Sequence, residues 1–279
     1  MRTMNDSEGT QKPVAPPRVG LAILAWVLFT AAAHAATLNV SNKGVDSGTC
    51  GVTLQPLCRS IGQAIANASP GDKIIVGPGV YGDLNGDGTF GNSPGEEVAV
   101  SSIMIDVNKP LTIVSRDGSG ATVLDGGTLT QQVNIDANSV VFGKANQGFT
   151  LRNLGLQING ASVTVAGNVA PAFVVENIAT MGGGPVTGVV LSGNAAIGGA
   201  TAGFLDFGTG TIVKGNVARN NASDGMQFFG AGAVVTKNVV VSNGGSGVAI
   251  FNFLATPGNL GTAIFSHNAI VGNRSGVAV

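Results

Sequence analysis

The fold is decided by four short segments that share one pattern: residues 190–194 (VLSGN), 212–216 (IVKGN), 234–238 (VVTKN) and 264–268 (IFSHN). Each segment places an apolar run before an asparagine, and the asparagines follow one another at intervals of 22, 22 and 30 residues. A fixed period with one localised insertion is typical of stacked repeats. The longer interval coincides with a loop at residues 255–260 (ATPGNL).

The last three repeats also carry a second asparagine, at Asn221, Asn243 and Asn273, and all four carry a glycine after it or in the same place, at Gly203, Gly225, Gly247 and Gly276. The runs between them are short and rich in β-branched or aromatic residues, which indicates strands rather than amphipathic helices. Glycine and asparagine tolerate positive φ and suit sharp corners. A unit of about 22 residues built this way matches one coil of a parallel β-helix.

The first asparagine of each repeat is predicted to form a structural ladder along the coils. Identical positions in neighbouring coils lie about 4.8 Å apart, so side-chain amides can hydrogen-bond along the column and to the corner backbone. The predicted ladder consists of Asn194, Asn216, Asn238 and Asn268, with Asn168 one coil earlier. Val240 and Ile270 would then point into the core together with Ala218.

This Asn–apolar–Asn–Gly repeat resembles the right-handed parallel β-helix proteins of the pectate-lyase-like superfamily. The resemblance is close over residues 186–279 and looser before them. It implies an all-β solenoid, a right-handed parallel β-helix. It does not define an activity, because this scaffold hosts lyases, hydrolases, epimerases, adhesins and surface proteins without catalysis.

The composition agrees with an all-β, turn-rich protein. Glycine accounts for 44 of 279 residues, charged residues for 10% and aromatic residues for 5%. The formal net charge of −1 provides no basic footprint of the kind that nucleic acid requires, so no nucleic-acid partner is predicted.

Residues 1–35 have the features of a signal peptide with a polar N-terminal extension. Arg18 precedes an apolar run at residues 19–33, which is short for a membrane span, and residues 33–35 (AHA) form a small-x-small cleavage site. Cleavage near Ala35 would leave no membrane span in the mature chain. We therefore expect a secreted, periplasmic or cell-surface protein; an uncleaved N-terminal anchor is the alternative.

Two cysteines, Cys50 and Cys58, are separated by eight positions. In an exported chain such a pair predicts a local disulfide. Two thiols alone do not complete a tetrahedral metal site, which disfavours a metal-binding role.

Residues 36–82 are predicted to form an N-terminal cap and the first coil. Apolar residues at positions 57, 61, 64, 65 and 68 have helical spacing, which predicts a helix near residues 58–68. The segment resembles the start of secreted β-helix proteins, in which a helix covers the open end of the first coil. An uncovered end would expose apolar core and unpaired strand edges.

Residues 83–89 (DLNGDGT) fit the opening of an EF-hand-type calcium loop. The oxygen ligands would come from Asp83, Asn85, Asp87 and Thr89. Position 12 of the motif is Pro94 instead of glutamate, although Glu96 and Glu97 are close enough to replace it. The alternative is a polar surface loop without a metal.

The β-helix is predicted to span residues 83–279, with irregular coils before the regular repeats begin near residue 186. Strands are expected at residues 98–107, 111–115, 122–124, 133–135, 139–142 and 149–151. The chain stops partway through a repeat, which predicts either a fragment of a longer β-helix or an end covered by self-association through an apolar strand edge.

The repeats contain few residues that could perform catalysis. The titratable candidates are Glu176, Asp206, Lys214, Arg219, Asp224, Lys237, His267 and Arg274. Pectate lyases of this architecture use calcium held by clustered carboxylates and an arginine or lysine base, and no such cluster is evident in the repeats. We therefore expect these charged side chains to face solvent and assign no catalytic residue.

Two classes of function remain. The first is an exported β-helix protein with a structural, adhesive or glycan-binding role at the cell surface, which the low charge and the repeated asparagine corners favour. The alternative is a calcium-dependent polysaccharide lyase, or a related carbohydrate-active enzyme, that acts on an acidic polysaccharide. Its support is the family resemblance together with the candidate calcium loop.

Overall fold

A computed structural model of the chain describes residues 35–52, 56–127, 131–176, 186–251 and 263–279. The predicted signal peptide therefore lies outside the described residues except for Ala35, and so does the predicted loop at residues 255–260.

The first, less regular half of the chain contains one helix, α1 (Ile61–Asn67), and thirteen strands in its described ranges. These strands are β1 (Thr37–Val40), β2 (Lys73–Val76), β3 (Gly79–Gly82), β4 (Ile103–Val107), β5 (Thr112–Ser115), β6 (Thr122–Asp125), β7 (Gln131–Ile135), β8 (Val141–Phe142), β9 (Thr150–Arg152), β10 (Leu154–Ile158), β11 (Thr164–Ala166), β12 (Val169–Ala170) and β13 (Phe173–Val175).

The regular repeats contribute strands of three to five residues. They are β14 (Val190–Ser192), β15 (Ala195–Ile197), β16 (Phe204–Asp206), β17 (Ile212–Lys214), β18 (Val217–Arg219), β19 (Met226–Phe228), β20 (Val234–Thr236), β21 (Val239–Val241), β22 (Ser246–Ile250), β23 (Ile264–Ser266), β24 (Ala269–Val271) and β25 (Ser275–Ala278).

The strands form three parallel sheets in which every third strand is a neighbour. Sheet A has the order β1-β2-β5-β8-β11-β14-β17-β20-β23, sheet B runs from β3 through β6 and β9 to β24, and sheet C runs from β4 through β7 and β10 to β25. Each coil thus adds one strand to each sheet, as in a right-handed parallel β-helix. The predicted fold is confirmed.

The core lies between the three sheets because successive residues of a strand point to opposite faces. In one repeat, Val213, Ala218 and Met226 point inward from β17, β18 and β19, and all are fully buried. Val240 is buried directly above Ala218, and Ile270 packs against the same core.

The corner between sheets A and B holds a hydrogen-bonded column of asparagines. Oδ1 of Asn216 accepts from the backbone N–H of Asn194 at 2.8 Å and from its amide at 3.2 Å, and Nδ2 of Asn216 donates to the Leu191 carbonyl at 2.9 Å. The same arrangement links Asn168, Asn194, Asn216, Asn238 and Asn268. A second column joins Asn221, Asn243 and Asn273.

The helix α1 begins later than the sequence indicates, because the Ser60 side chain caps it by accepting from the Gln63 N–H. Its buried face consists of Ile61, Ala64 and Ile65 and packs near β1, β2 and β4. Cys50 and Cys58 form the expected disulfide. No helix within the described ranges has the length and apolar character needed to cross a membrane.

The predicted strand at residues 98–107 is shorter in the structure, since only β4 belongs to a sheet. Ser101 has φ of 56°, so the chain turns there, and Val100 forms an isolated antiparallel bridge with Ile103. Val98 and Val100 are consequently exposed instead of packing in the core.

Candidate functional site

The outer face of sheet C is polar across its first three strands. In β4, β7 and β10 the residues that flank the polar positions point inward, so Asp106, Asn134 and Gln157 point outward from neighbouring coils. Sheet register places these three side chains side by side.

A second polar row lies two residues further along the same coils. It contains Asn108, Asp136 and Asn159, and hydrogen bonds connect it with the first row. The Asn159 amide donates to Asp136 Oδ1 at 2.6 Å, and the Gln157 amide donates to Asn159 Oδ1 at 3.3 Å. The two rows form one network of amides and carboxylates.

Two carboxyls and an amide oxygen supply the acceptors in this network. Burial, and then the neighbouring Asp136, raise the pKa of the Asp106 carboxyl. Oδ1 of Asn134 is buried and accepts no hydrogen bond from the described residues. Adjacent acceptors of this kind suit a ligand that provides hydroxyl donors or a cation.

One end of this face meets the helix α1 in a cleft of about 530 Å³. Asp106, Asn108 and Lys109 line one side, and Gln63 and Glu96 are also part of its lining. The Lys109 ammonium donates to the carbonyls of Ile65, Ala66 and Ala68 at 2.9–3.0 Å. The lysine therefore caps the end of the helix, which holds the cleft wall in place.

A second concavity, of about 520 Å³, runs across β7, β10 and β13 and is bounded by the turn at residues 198–201. We call it the sheet C groove. Gly155, Ala172 and Val174 contribute to its lining together with the polar side chains of Gln132 and Asn153. A Cβ atom added at Gly155 would meet nothing within 4 Å, so the glycine leaves the groove open.

An aromatic column continues the second polar row into the regular repeats. The backbone N–H of Phe207 donates to Val175, that of Phe229 to Asp206, and that of Phe251 to Phe228. The three rings stack with centroids 4.6 Å apart at each step. Sheet C thus presents amides and carboxylates in its early coils and aromatic rings in its later ones.

The candidate calcium loop folds around its first aspartate. Asp83 is 3% exposed, and its two carboxylate oxygens accept from Gly86 N and Gly88 N at 2.7 and 2.8 Å. Asp87 is exposed, and hydrogen bonds from Asn92 and from the Thr89 N–H lower the pKa of its carboxyl. Asn85 donates to Asp87 Oδ2 at 3.0 Å.

The two glutamates after this loop take different positions. Glu96 folds over the loop and accepts from four backbone N–H groups, those of Leu84, Asn85, Asn92 and Ser93, at 3.0–3.3 Å. Glu97 instead accepts from the N–H groups of Ile61 and Gly62 at the start of α1. Burial raises the pKa of the Glu97 carboxyl to about 7.

A metal site could also form elsewhere, where acidic, cysteine or histidine side chains lie close enough together to hold an ion. Within the described residues, one set of three such atoms lies within 4.8 Å, that of Asp46, Cys50 and Cys58. The disulfide between the two cysteines removes both sulfurs as metal ligands.

Of the titratable candidates of the repeats, Glu176 continues the second polar row beside Asn159, because Val175 is in register with Ile158. Lys214, Lys237 and His267 are exposed at the corner between sheets A and B, and Arg219 is exposed at the far end of β18, beside the corner between sheets B and C. Asp206, which we expected to face solvent, is 1% exposed because its strand position points into the core. Its Oδ1 accepts from Gly208 N and Thr211 Oγ1 at 2.9 Å.

Asp106, Asn134, Asp136 and Gly155 were not identified from the sequence. They belong to coils that lack the regular asparagine repeat. The available signal was the alternation of outward polar and inward apolar residues at 131–135 (QQVNI) and 154–158 (LGLQI).

Fold and site together define a parallel β-helix protein with a polar, concave outer face on one sheet. No protein-family profile and no curated protein matches the chain. Among solved structures, it is similar to a rhamnogalacturonan lyase (13% identity, TM-score 0.43, covering 88% of this chain and 62% of that chain). It is also similar to pectate lyase Pel9A (15% identity, TM-score 0.49, covering 88% of this chain and 78% of that chain). The chain spans 62% of the length of the rhamnogalacturonan lyase.

Proposed function

We propose that this protein is an exported β-helix protein that binds a polysaccharide along the outer face of sheet C, in a structural or adhesive role at the cell surface. The observation that carries the proposal is the sheet C groove, which lies beside two linked rows of amides and carboxylates. The disulfide fits a protein of an oxidising, extracytoplasmic compartment.

The chemistry of the face suits sugar rings. Amides such as Gln157 and Asn159 offer donors and acceptors, and the carboxylates of Asp106 and Asp136 accept from hydroxyl groups. The apolar floor at Gly155, Ala172 and Val174 can pack against C–H groups. Because equivalent positions repeat about every 4.8 Å, the face offers a regular array to a polymer that is itself regular.

A calcium-dependent lyase that acts on an acidic polysaccharide is the second candidate. It is favoured by the acidic pair Asp106 and Asp136 at the edge of the cleft beside α1. A lyase also needs a base within hydrogen-bond reach of the proton that it removes. Lys109 lines the same cleft, but its ammonium donates to three backbone carbonyls, which favours binding over catalysis.

Calcium at the loop of Asp83, Asn85, Asp87 and Thr89 remains part of this proposal. Two observations support it. The lowered pKa of Asp87 favours its ionised carboxylate, and Glu96 folds over the loop, which brings a further carboxylate close to the candidate ligands. At this position calcium would stabilise the loop next to α1 without taking part in a reaction.

An array of plant and microbial polysaccharides, probed with residues 36–279, tests the proposed function. Each bound polysaccharide is then incubated with the protein while absorbance reports unsaturated product. We expect the protein to bind at least one polysaccharide without forming unsaturated product. Product formation would establish the lyase instead, and the absence of binding to every polysaccharide would contradict both candidates.

A further inference from the structure

Two aspartates lie close together where the polar rows of sheet C begin. Asp106 points outward from β4, and Asp136 directly follows β7 in the next coil. Their carboxyls share a hydrogen bond, and neither forms an ion pair within the described residues. Burial, and then the charge of Asp136, raise the pKa of the Asp106 carboxyl. Carboxylates held this close repel each other when both are ionised, so a cation between them would be stabilised.

Asn134 adds a neutral acceptor to this pair. It is in register with Asp106 and lies two residues before Asp136 on the same face of sheet C. Its side chain is 7% exposed, and its Oδ1 accepts no hydrogen bond from the residues that the structure describes. A buried acceptor without a partner costs free energy, which is why folded proteins contain few of them. A donor supplied by a ligand would satisfy this oxygen.

Amide groups occupy the other side of each carboxyl. Asn159 Nδ2 donates to Asp136 Oδ1 at 2.6 Å, and Asn108 Nδ2 approaches Asp106 Oδ2 at 3.4 Å. Asp106 Oδ1 and Asp136 Oδ2 accept from no N–H group in the described part of the chain. With Asn134 Oδ1 they provide three acceptors, and we call Asp106, Asn134 and Asp136 the acceptor triad.

The number of acceptors favours one kind of cation. A primary ammonium ion has three N–H donors, one for each member of the acceptor triad. Calcium takes six to eight oxygen ligands, and magnesium requires near-octahedral coordination. The amides of Asn108 and Asn159 present N–H groups beside the carboxyls, where a metal would need oxygens. The triad therefore suits an organic ammonium better than a divalent metal.

The neighbouring cleft suits an alkyl chain attached to such an ammonium. Asp106 lines the cleft of about 530 Å³ beside α1, and its lining includes the apolar side chains of Ile65, Val98 and Met104. Burial of methylene groups against these side chains would add to the affinity. Lys109 lines the same cleft, but its ammonium donates to three carbonyls of the helix end, so it is not free to pair with Asp106.

We propose that the acceptor triad binds a primary alkylammonium ion whose chain lies in the cleft beside α1. This ligand goes beyond the polysaccharide proposed for the sheet C groove, and no member of the triad lines that groove. Two sources carry such an ammonium: a free alkylamine and the side chain of a lysine in another protein.

Four small probes test the chemistry by isothermal titration. Hexylamine should bind. 1-Hexanol has no charge and hexyltrimethylammonium has no N–H donor, so both should bind at least about tenfold more weakly, as expected for lost hydrogen bonds between charged groups. Butylamine should also bind about tenfold more weakly, since each buried methylene contributes about fourfold.

Amide substitutions test the residues. Asp106→Asn and Asp136→Asn should each weaken hexylamine binding at least about tenfold. Neither should lower the melting temperature, because each removes repulsion between two carboxylates. Asp117→Asn is the matched control, since it neutralises an exposed carboxylate elsewhere and should leave the affinity unchanged. Gly155→Trp should also bind hexylamine normally, so failure of the groove and failure of the triad are distinguishable.

The tripeptide acetyl-glycyl-lysyl-glycinamide separates the two sources of the ammonium. If it binds as tightly as hexylamine, the ligand is a lysine side chain; if it binds more weakly, the ligand is a free amine. Three results would overturn the proposal: equal binding of hexylamine and hexyltrimethylammonium, unchanged affinity in both aspartate variants, or displacement of hexylamine by an equimolar amount of calcium, which would assign the triad to a metal.

Discussion

At the scale of single residues, asparagine serves two purposes at each corner. The Asn216 amide hydrogen-bonds to its neighbours above and below, and it also satisfies the Leu191 carbonyl. Buried polar groups cost little when all of them are paired, and here the pairing repeats along the column. This is why the repeated asparagine could be recognised from sequence as a structural residue.

Asp206 is the residue that sequence reasoning placed incorrectly. Burial raises the pKa of its carboxyl from 3.8 to about 6, against the hydrogen bonds from Thr211 and Gly208. The folded state thus binds a proton more tightly than the unfolded state. The stabilising effect of protonation is complete below pH 3.8 and is lost as pH rises to about 6.

Replacing this carboxyl with a neutral amide should remove the free-energy cost of burying a carboxylate at neutral pH. We expect Asp206→Asn to increase the free energy of unfolding at pH 7 by roughly 1 to 3 kcal/mol, since each pKa unit corresponds to about 1.4 kcal/mol. Near pH 4 the increase in the free energy of unfolding should be much smaller, because the Asp206 carboxyl of the original protein is then protonated. Denaturant unfolding at both pH values measures the difference. An equal gain at both values would show that Asp206 does not titrate as its burial predicts.

At the scale of elements, the regular coils could be predicted because each repeats the same corner residues. The coils between residues 131 and 176 were predicted in part: strands were expected near β7, β8 and β9, and Asn168 joins the ladder, but β10 to β13 were not predicted, because most of their corners lack the repeated asparagine. The helix α1 was predicted from apolar spacing, but its start is set by the cap at Ser60. The rows of Asp106 and Asp136 lie in coils that lack the asparagine repeat, which is why the site was missed.

The loop after β3 carries a prediction of its own. If calcium binds Asp83 and Asp87, millimolar calcium should raise the melting temperature by several degrees, because a ligand that binds only the folded state stabilises it. Asp83→Ala with Asp87→Ala should abolish this rise. Asp117→Ala, which removes an exposed carboxylate elsewhere, should retain it. An unchanged melting temperature of the unmutated protein in calcium would contradict calcium binding at this loop.

At the scale of the whole β-helix, the three sheets present different outer surfaces. Sheet C carries the groove and the polar rows, whereas the corner between sheets A and B carries the asparagine ladder. Stacking makes each surface a column of equivalent positions, so a few substitutions per coil are enough to create a long binding site. Composition could not reveal this separation, because the net charge of −1 averages over all three surfaces.

Polysaccharide binding in the sheet C groove is the central claim, and a substitution at Gly155 provides its most direct test. The residue lies in β10, lacks positive φ, and has open space where a side chain would begin. Gly155→Trp should therefore fold normally and fill the groove. Gly120→Trp is the matched control, because Gly120 also has open space at its Cβ position but does not line the groove.

The measurement is the affinity of both variants for the polysaccharide that the array identifies, by isothermal titration, with melting temperatures as the check on folding. We predict at least a tenfold loss of affinity for Gly155→Trp, since blocking the floor removes both the packing and the access to the amides, and no change for Gly120→Trp. Unchanged affinity in a folded Gly155→Trp protein would contradict the account.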